Sequence, residues 1–394
     1  MKIALVVPLD FTAVLCCKIW IEDLQLRSDD RLVVIGEYFP DKNNYQEELR
    51  SWGVVFEHVP MSRHINPLLD LKYMWSLWKI FRKYKFDYVL NTCTKPNIYG
   101  PLAARLAGTN KILISVWGRG SAYLENQNIK FKILRFLLNN LYSLSFSLAS
   151  YVWFTNKNDV DYFSAIGSLK RDKVILTKNY IDVDKYRPRV LSSDVEMELR
   201  KNFAIGKNDK VVVSVSRMIW SKGIKEFAEA SQVIEKERSD IKFILVGAVE
   251  KGSPDSVPYE FLEMHSKREN FQWIGYREDL LDIYALSDLA VLPSFYKEGG
   301  YPRALTEPMA MGKPVIAADT PDCRSPIENG KNGYLVPPRD SKSLAECILK
   351  IMSDDQLRHK FGKYSAKRAK LEYDEKIIIP EMDKVFFEKF LGEE

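Results

Sequence analysis

The chain has 394 residues, 46% apolar and 28% charged, with a formal net charge of +5 at neutral pH. That length exceeds one ordinary core and predicts two domains, and the balance excludes a disordered or fibrous chain. Five cysteines without ligand spacing and four histidines without a paired motif exclude a disulfide scaffold and a structural metal site. The pattern reads as a reduced, cytoplasmic protein.

The charge is unevenly shared. The first 185 residues carry 25 Lys and Arg against 18 Asp and Glu, the remainder 33 against 35. A basic front half suits an anionic partner, such as the inner face of a cell membrane or a lipid phosphate. Its cations are spread out without a recognition motif, which argues against nucleic acid. The apolar run Met1 to Pro8 is too short for a signal peptide. The longest uncharged run, Phe136 to Asn156, contains Asn139, Asn140 and several serines. It reads as a buried helix running into a strand rather than a membrane span.

In chain order, strands are predicted at Lys2 to Val7, Leu32 to Gly36, Val54 to Val59, Tyr88 to Asn91, Ile112 to Val116 and Tyr151 to Thr155. Helices are predicted at Leu68 to Lys83 and Tyr99 to Leu106. This alternation implies a doubly wound parallel sheet. A break is expected between Asp184 and Asp194, giving a first domain of residues 1–188 and a second of 189–376. The second series has strands at Val211 to Ser216, Ile241 to Gly247, Phe271 to Gly275, Leu289 to Leu292 and Pro314 to Ala318, with a helix at Gly223 to Glu235. The amphipathic end, 377–394, is expected to pack back on the first domain. Ligands of such sheets bind beyond the strands' carboxyl ends, so a cleft between two facing domains is the expected site.

The most informative stretch is Asp288 to Asp319, a strand, a glycine loop, a helix and a strand. In Glu298-Gly299-Gly300-Tyr301-Pro302 the glycines allow backbone to approach a ligand, and Pro302 suits the start of a helix from Arg303 to Met311 closed by Gly312. Such a loop offers N–H groups and a favourable dipole to a phosphate. Two carboxylates, Glu298 and Glu307, each suit a vicinal diol. On the residues alone, Glu298 reads equally as a solvated loop charge and Glu307 as a helix-surface glutamate. Arg217 follows one strand and Lys222-Gly223 opens the next helix, which suits a diphosphate; both also read as surface cations. The turn Trp273-Ile274-Gly275-Tyr276-Arg277 lies at the same sheet edge and could hold a base.

Together, Arg217…Lys222-Gly223, Gly247, Gly275…Asp279, Pro293-Ser294, Glu298…Glu307-Pro308-Met309-Ala310 and Gly312-Lys313-Pro314-Val315 resemble the C-terminal domain of family 4 glycosyltransferases. The likeness continues through Gly330…Asn332-Gly333-Tyr334 to Asp340 and reaches Asn91…Lys95-Pro96…Gly100 in the first domain. It implies the GT-B fold, two Rossmann-like domains facing across a cleft, and a retaining, metal-independent hexosyltransferase with no cofactor beyond a nucleotide-sugar co-substrate. By resemblance Arg217, Lys222 and Glu298 are catalytic. The donor, expected to be a UDP-sugar, is held by these with Gly247, Tyr276, Arg277, Gly299, Gly300, Tyr301, Pro302, Arg303, Ala304 and Glu307, the last on the ribose.

There are departures. The family usually has one residue fewer between its two glutamates than the eight found here, and the extra one falls most simply at Gly299-Gly300. A glycine-rich loop after the first strand is replaced by Leu9-Asp10-Phe11-Thr12. Where relatives place a histidine before a glycine, this chain has Trp117-Gly118-Arg119-Gly120, and Arg119 or backbone is expected to substitute. The pattern is similar to enzymes extending polyprenyl-diphosphate-linked sugars for bacterial capsule or O-antigen. The acceptor is therefore expected at Asp10, Phe11, Thr12, Arg63, Lys95, Asn97, Trp117, Gly118 and Arg119, with an N-acetylhexosamine or 6-deoxy analogue transferred. Trp75, Trp78, Lys79, Arg82 and Lys83 on one helix, and Lys130, Lys132 and Arg135 on another, suit either membrane docking or an ordinary core with solvated lysines. Two alternatives share these motifs: a nucleotide-sugar 2-epimerase, disfavoured by the scarcity of histidines, and a non-catalytic nucleotide-sugar-binding subunit.

Overall fold

A computed structural model of the chain describes residues 1–27, 32–38, 45–62, 65–119, 123, 129–250 and 252–392. The chain divides into two compact units, residues 1–177 with 382–394, and residues 178–381. The division precedes the expected break because Ile181 and Tyr186 are buried in the second unit's core. The Ile181 N–H also donates to the Tyr373 carbonyl at 2.8 Å. At the other end, Phe390 meets Tyr88 edge-on with ring centroids 5.3 Å apart, both in the first unit.

The first unit is a seven-stranded sheet: β1 (Ile3–Leu9), β2 (Leu32–Glu37), β3 (Val55–His58), β4 (Tyr88–Thr92), β5 (Lys111–Val116), β6 (Tyr151–Phe154) and β7 (Val174–Leu176). Their spatial order is β3-β2-β1-β4-β5-β6-β7, all parallel. The second unit has β8 (Lys210–Val215), β9 (Ile241–Val246), β10 (Phe271–Trp273), β11 (Leu289–Leu292), β12 (Val315–Ala318) and β13 (Gly333–Val336) in the order β10-β9-β8-β11-β12-β13, also parallel. Near-continuous burial of β1, β4, β8 and β11 is what a sheet covered on both faces requires. The expected pair of doubly wound sheets is therefore observed. The edge strands β7 and β13 were not foreseen; three or four residues carry too little periodicity to stand out.

Two local expectations need correction. Asp10-Phe11-Thr12 forms no loop, because the helix Asp10–Cys16 starts directly after β1. The uncharged run after Phe136 belongs to a helix, Ile129–Leu148, of which only Tyr142, Ser145 and Phe146 are buried. Serines let an uncharged run be amphipathic, and this one is.

Candidate active site

In each unit the strand order reverses between two neighbours, β1 and β4 in the first and β8 and β11 in the second. Loops leaving such strands diverge and open a crevice. In the second unit the loop after β8 carries Arg217 and Lys222, and the loop after β11 runs from Pro293 to Pro302. Backbone stitches them together: the Phe295 and Tyr296 N–H groups donate to the Ser221 carbonyl at 2.9 and 3.0 Å. Gly223 makes the approach possible, since its φ is +76° and a Cβ there would stand 2.3 Å from the Pro293 carbonyl oxygen.

The stitching gathers four functional groups. The Arg217 guanidinium lies 5.3 Å and the Lys222 Nζ 5.1 Å from the ring centroid of Tyr296, so both cations stand against one aromatic ring. Lys222 pairs with Glu298, their side chains only 11% and 8% exposed, and the Ser294 hydroxyl donates to the other Glu298 oxygen at 2.5 Å. Arg217, half exposed, pairs with Glu250 at 2.7 Å. Burial raises the Tyr296 hydroxyl pKa against the opposing pull of Arg217.

Two side chains brace the glycine loop. The Asp322 carboxylate accepts from the Glu298 N–H at 3.0 Å and the Gly299 N–H at 3.4 Å. Asn179 donates to the Tyr301 carbonyl at 3.2 Å and stands where a Cβ on Gly300, at φ +130°, would lie within 2.5 Å. Pro302 precedes the helix Arg303–Ala310, and Ala304 and Tyr301 pack on the second unit's core. Glu307 is no surface glutamate. It is buried, accepts from Arg303 at 2.8 Å and lies beside Tyr186. Burial raises its pKa, with Arg303 and Tyr186 pulling it down.

At the outer strands the predicted residues are held in structural contacts. The Gly247 N–H donates to the Gly275 carbonyl at 2.7 Å, and Arg277 grips Asp279 through two bonds, 2.8 and 2.5 Å long. Tyr276 is exposed. Tyr296, Glu250, Asp322 and Asn179 are contributed by positions that the sequence motifs do not mark. Ser294 belongs to the Pro293-Ser294 motif without a role of its own there, and nothing in the local spacing marks Asp322 or Asn179 as loop braces.

The first unit's switch point is different in kind. Lys95 is paired with Asp70 at 2.5 Å, the side chains 12% and 5% exposed. Asn97 is buried with its amide on the Ser115 carbonyl at 2.8 Å. Asp10 is buried and accepts from the Phe11 N–H at 2.7 Å; Thr12 is buried too, and Phe11 packs edge-on against Tyr45. Trp117 meets Trp20, which stacks on Trp153. Gly118 follows at φ +106°. Arg119, expected to stand in for the family's histidine, is held in an ion pair. It is buried, bonded to Asp159 at 2.6 Å, and lies 4.3 Å from the Tyr162 ring centroid, because a cation so far from water needs a counter-charge. Arg63 and Gly120 lie outside the described residues. Among the described residues no three of His, Cys, Asp and Glu cluster as metal ligands, and no helix is long and apolar enough to cross a membrane.

Comparison with known proteins bears on both units. Residues 195–368 match the family model described as glycosyl transferases group 1, and residues 2–156 match glycosyl transferase 4-like. The N,N'-diacetylbacillosaminyl-diphospho-undecaprenol alpha-1,3-N-acetylgalactosaminyltransferase of Campylobacter jejuni is 31% identical over 91% of each chain. The UDP-Gal:alpha-D-GlcNAc-diphosphoundecaprenol alpha-1,3-galactosyltransferase of Escherichia coli is 26% identical over 75% of this chain and 74% of its own. The solved structure of Anabaena HepE in complex with UDP superposes with a TM-score of 0.75 at 21% identity, covering 97% of this chain and 98% of that one. This last likeness concerns the fold, which is of the GT-B class.

Proposed function

The chain belongs to the group 1 glycosyl transferases, and on that premise we propose that it moves a sugar from a UDP-sugar to a saccharide carried on a polyprenyl diphosphate. The transferred sugar is an N-acetylhexosamine or a 6-deoxy analogue, and the product is a building block of a bacterial surface polysaccharide. The observation that carries this reading is the pairing of Arg217 and Lys222 over one Tyr296 ring at the second unit's switch point. Two cations so placed match a diphosphate, Arg as a fork and Lys as a point charge. The names of the relatives support the acceptor class, since the Campylobacter and Escherichia enzymes are both named for undecaprenol-linked sugars.

The chemistry follows from charge placement. As the bond from the anomeric carbon to the UDP oxygen breaks, negative charge grows on the diphosphate, and Arg217, Lys222 and the loop N–H groups stabilise it. The acceptor hydroxyl attacks from the same face, and its proton passes to the departing phosphate oxygen. Configuration is retained and neither a protein base nor a divalent ion is required. Donor binding opens the Arg217–Glu250 and Lys222–Glu298 pairs, freeing Glu298 for the sugar hydroxyls. Glu307 takes the ribose hydroxyls on release from Arg303.

The test is a transfer assay with UDP-N-acetylhexosamines and their 6-deoxy analogues on a polyprenyl-diphosphate monosaccharide, in the presence of a chelator. A product one sugar heavier, with the anomeric configuration of the donor by NMR, is expected. UDP binding without transfer to any acceptor would instead mark a binding subunit, and turnover only with GDP-sugars would overturn the nucleotide assignment.

A further inference from the structure

The second unit's site holds more negative charge than a diphosphate site needs. Each of its two cations is already matched by a carboxylate, Lys222 by Glu298 and Arg217 by Glu250. Glu298 has a further task at the sugar hydroxyls, whereas Glu250 has none. Its pair is also the open one: the Arg217 and Glu250 side chains are 50% and 36% exposed, so both groups can trade partners with a ligand from water.

An exposed ion pair is often an accident of the surface. This one is built. The chain after β9 is laced to the loop that carries both cations. The Met218 N–H donates to the Ala248 carbonyl at 2.9 Å, the Val257 N–H to the Met218 carbonyl at 3.0 Å, and the Trp220 N–H to the Asp255 carbonyl at 2.8 Å. Ser221 donates to the Asp255 carboxylate through its N–H, at 3.2 Å, and through its hydroxyl. Trp220 meets Phe261 edge-on with ring centroids 4.8 Å apart. Beside the pair itself, the Ser253 N–H closes a turn on the Glu250 carbonyl at 3.2 Å. Backbone fixed on both sides of Glu250 therefore presents its carboxylate to Arg217.

The charges of the two ligands say what such a carboxylate does. In a UDP-sugar each phosphate is singly charged. When the bond from the anomeric carbon to the phosphate oxygen breaks, the acceptor's proton passes to that oxygen. Water then takes the proton, since a terminal phosphate loses it at about pH 6. The product UDP is thus more anionic than the substrate, and two cations alone would hold it the tighter of the two.

We propose that Glu250 is a release residue: acting through Arg217, it competes with the diphosphate for the guanidinium and weakens the site's hold on UDP more than on the UDP-sugar. Repulsion from a fixed carboxylate grows with the ligand's charge, so it falls more heavily on the product. Glu298 works in the same direction, because its return to Lys222 waits on loss of the sugar. The role presupposes the UDP-sugar donor proposed above, and it makes Glu250 a positioning residue rather than a catalytic one.

The test is titration calorimetry of wild type, Glu250→Gln and Glu250→Asp with UDP, UDP-N-acetylglucosamine and UDP-N-acetylgalactosamine, at low and physiological salt. Glu250→Gln should bind UDP about fivefold tighter, the upper end for an exposed ion pair, and the UDP-sugars less than about twofold tighter. The difference should narrow as salt rises, and Glu250→Asp should stay near the wild type. In the transfer assay the inhibition constant of UDP should fall by the same factor while kcat/KM for the donor holds, and the empty variant should melt with the wild type. Unchanged or weaker UDP binding by Glu250→Gln would overturn the proposal. So would weaker binding of the UDP-sugars with UDP unaffected, which would make Glu250 a sugar ligand. A wild type that binds neither UDP nor inorganic pyrophosphate would overturn the donor assignment along with it, so the two failures are told apart.

Discussion

Both units reverse their strand order at the carboxyl ends of two neighbouring strands, yet they use the place differently. In the second unit Arg217 stays half exposed and Lys222 faces a ring that the two cations share. In the first unit Lys95 and Arg119 are sunk and neutralised by Asp70 and Asp159. Topology therefore fixes where a ligand can sit, and what separates the two places is the half-exposed Arg217 beside Lys222, since Lys222 itself is as buried and as paired as Lys95. An exposed cation can exchange its carboxylate for a phosphate at little cost. A buried one leaves an uncompensated partner behind unless the ligand also takes up that partner, as proposed for Glu298 and the sugar hydroxyls.

The sharpest way to break this contrast is to remove one member of a buried first-unit pair. Arg119→Ala should cost about 3–5 kcal/mol of stability by leaving Asp159 buried and unpaired, without weakening UDP binding in the molecules that remain folded. Denaturant unfolding of Arg119→Ala, beside Arg119→Met with Asp159→Leu, measures this, and the double variant should recover most of the loss. If Arg119→Ala keeps full stability but loses acceptor turnover, the residue belongs to the site after all.

In the second unit the order of effects should reverse. Lys222→Ala should lower kcat by about 10²–10³-fold, the range for removing a group that stabilises developing charge. Because Glu298 is then left buried, some stability falls with it. Lys222→Gln with Glu298→Gln should restore the stability and none of the turnover, which separates the two roles.

How much of this could be read in the residues differs by region. The parallel sheets were legible because apolar runs of buried-strand length recur between helical stretches, Arg217 because it follows a strand end, and Lys222 and Glu298 because each precedes a glycine in a loop after a strand. The braces were not. Asp322 and Asn179 act from other segments, at sequence distances of 24 and 122 residues from the groups they hold. The burial of Arg119 was not legible because its counter-charge, Asp159, lies 40 residues away. The fold boundary was placed late for a similar reason: Tyr186-Arg187-Pro188 looks like linker until Tyr186 is seen in a core.

A smaller effect is expected at the loop brace. Asp322→Ala should raise the donor KM and lower kcat together by about tenfold, the scale of one lost hydrogen bond to a charged acceptor. Asp322→Asn, which can still accept from the Glu298 N–H, should recover most of it. Equal losses in both variants would point to the charge of Asp322 rather than to its hold on the loop.

The smallest change concerns Glu307. Its pKa is raised by burial against the pull of Arg303 and Tyr186, so ionisation costs stability that grows as pH rises through the folded-state value. Glu307→Gln should therefore raise the unfolding temperature at neutral pH and leave it nearly unchanged below the ordinary carboxylate range. UDP protection should fall in the same variant. A lower unfolding temperature at neutral pH would show that the Arg303 pair outweighs burial.

The most direct measurement is a crystal structure of the chain soaked with UDP. The diphosphate is expected against Arg217 and Lys222, beside the Tyr296 ring, with the Lys222–Glu298 pair opened. A diphosphate bound instead at Lys95 and Arg119, with the second unit's ion pairs intact, would contradict the account.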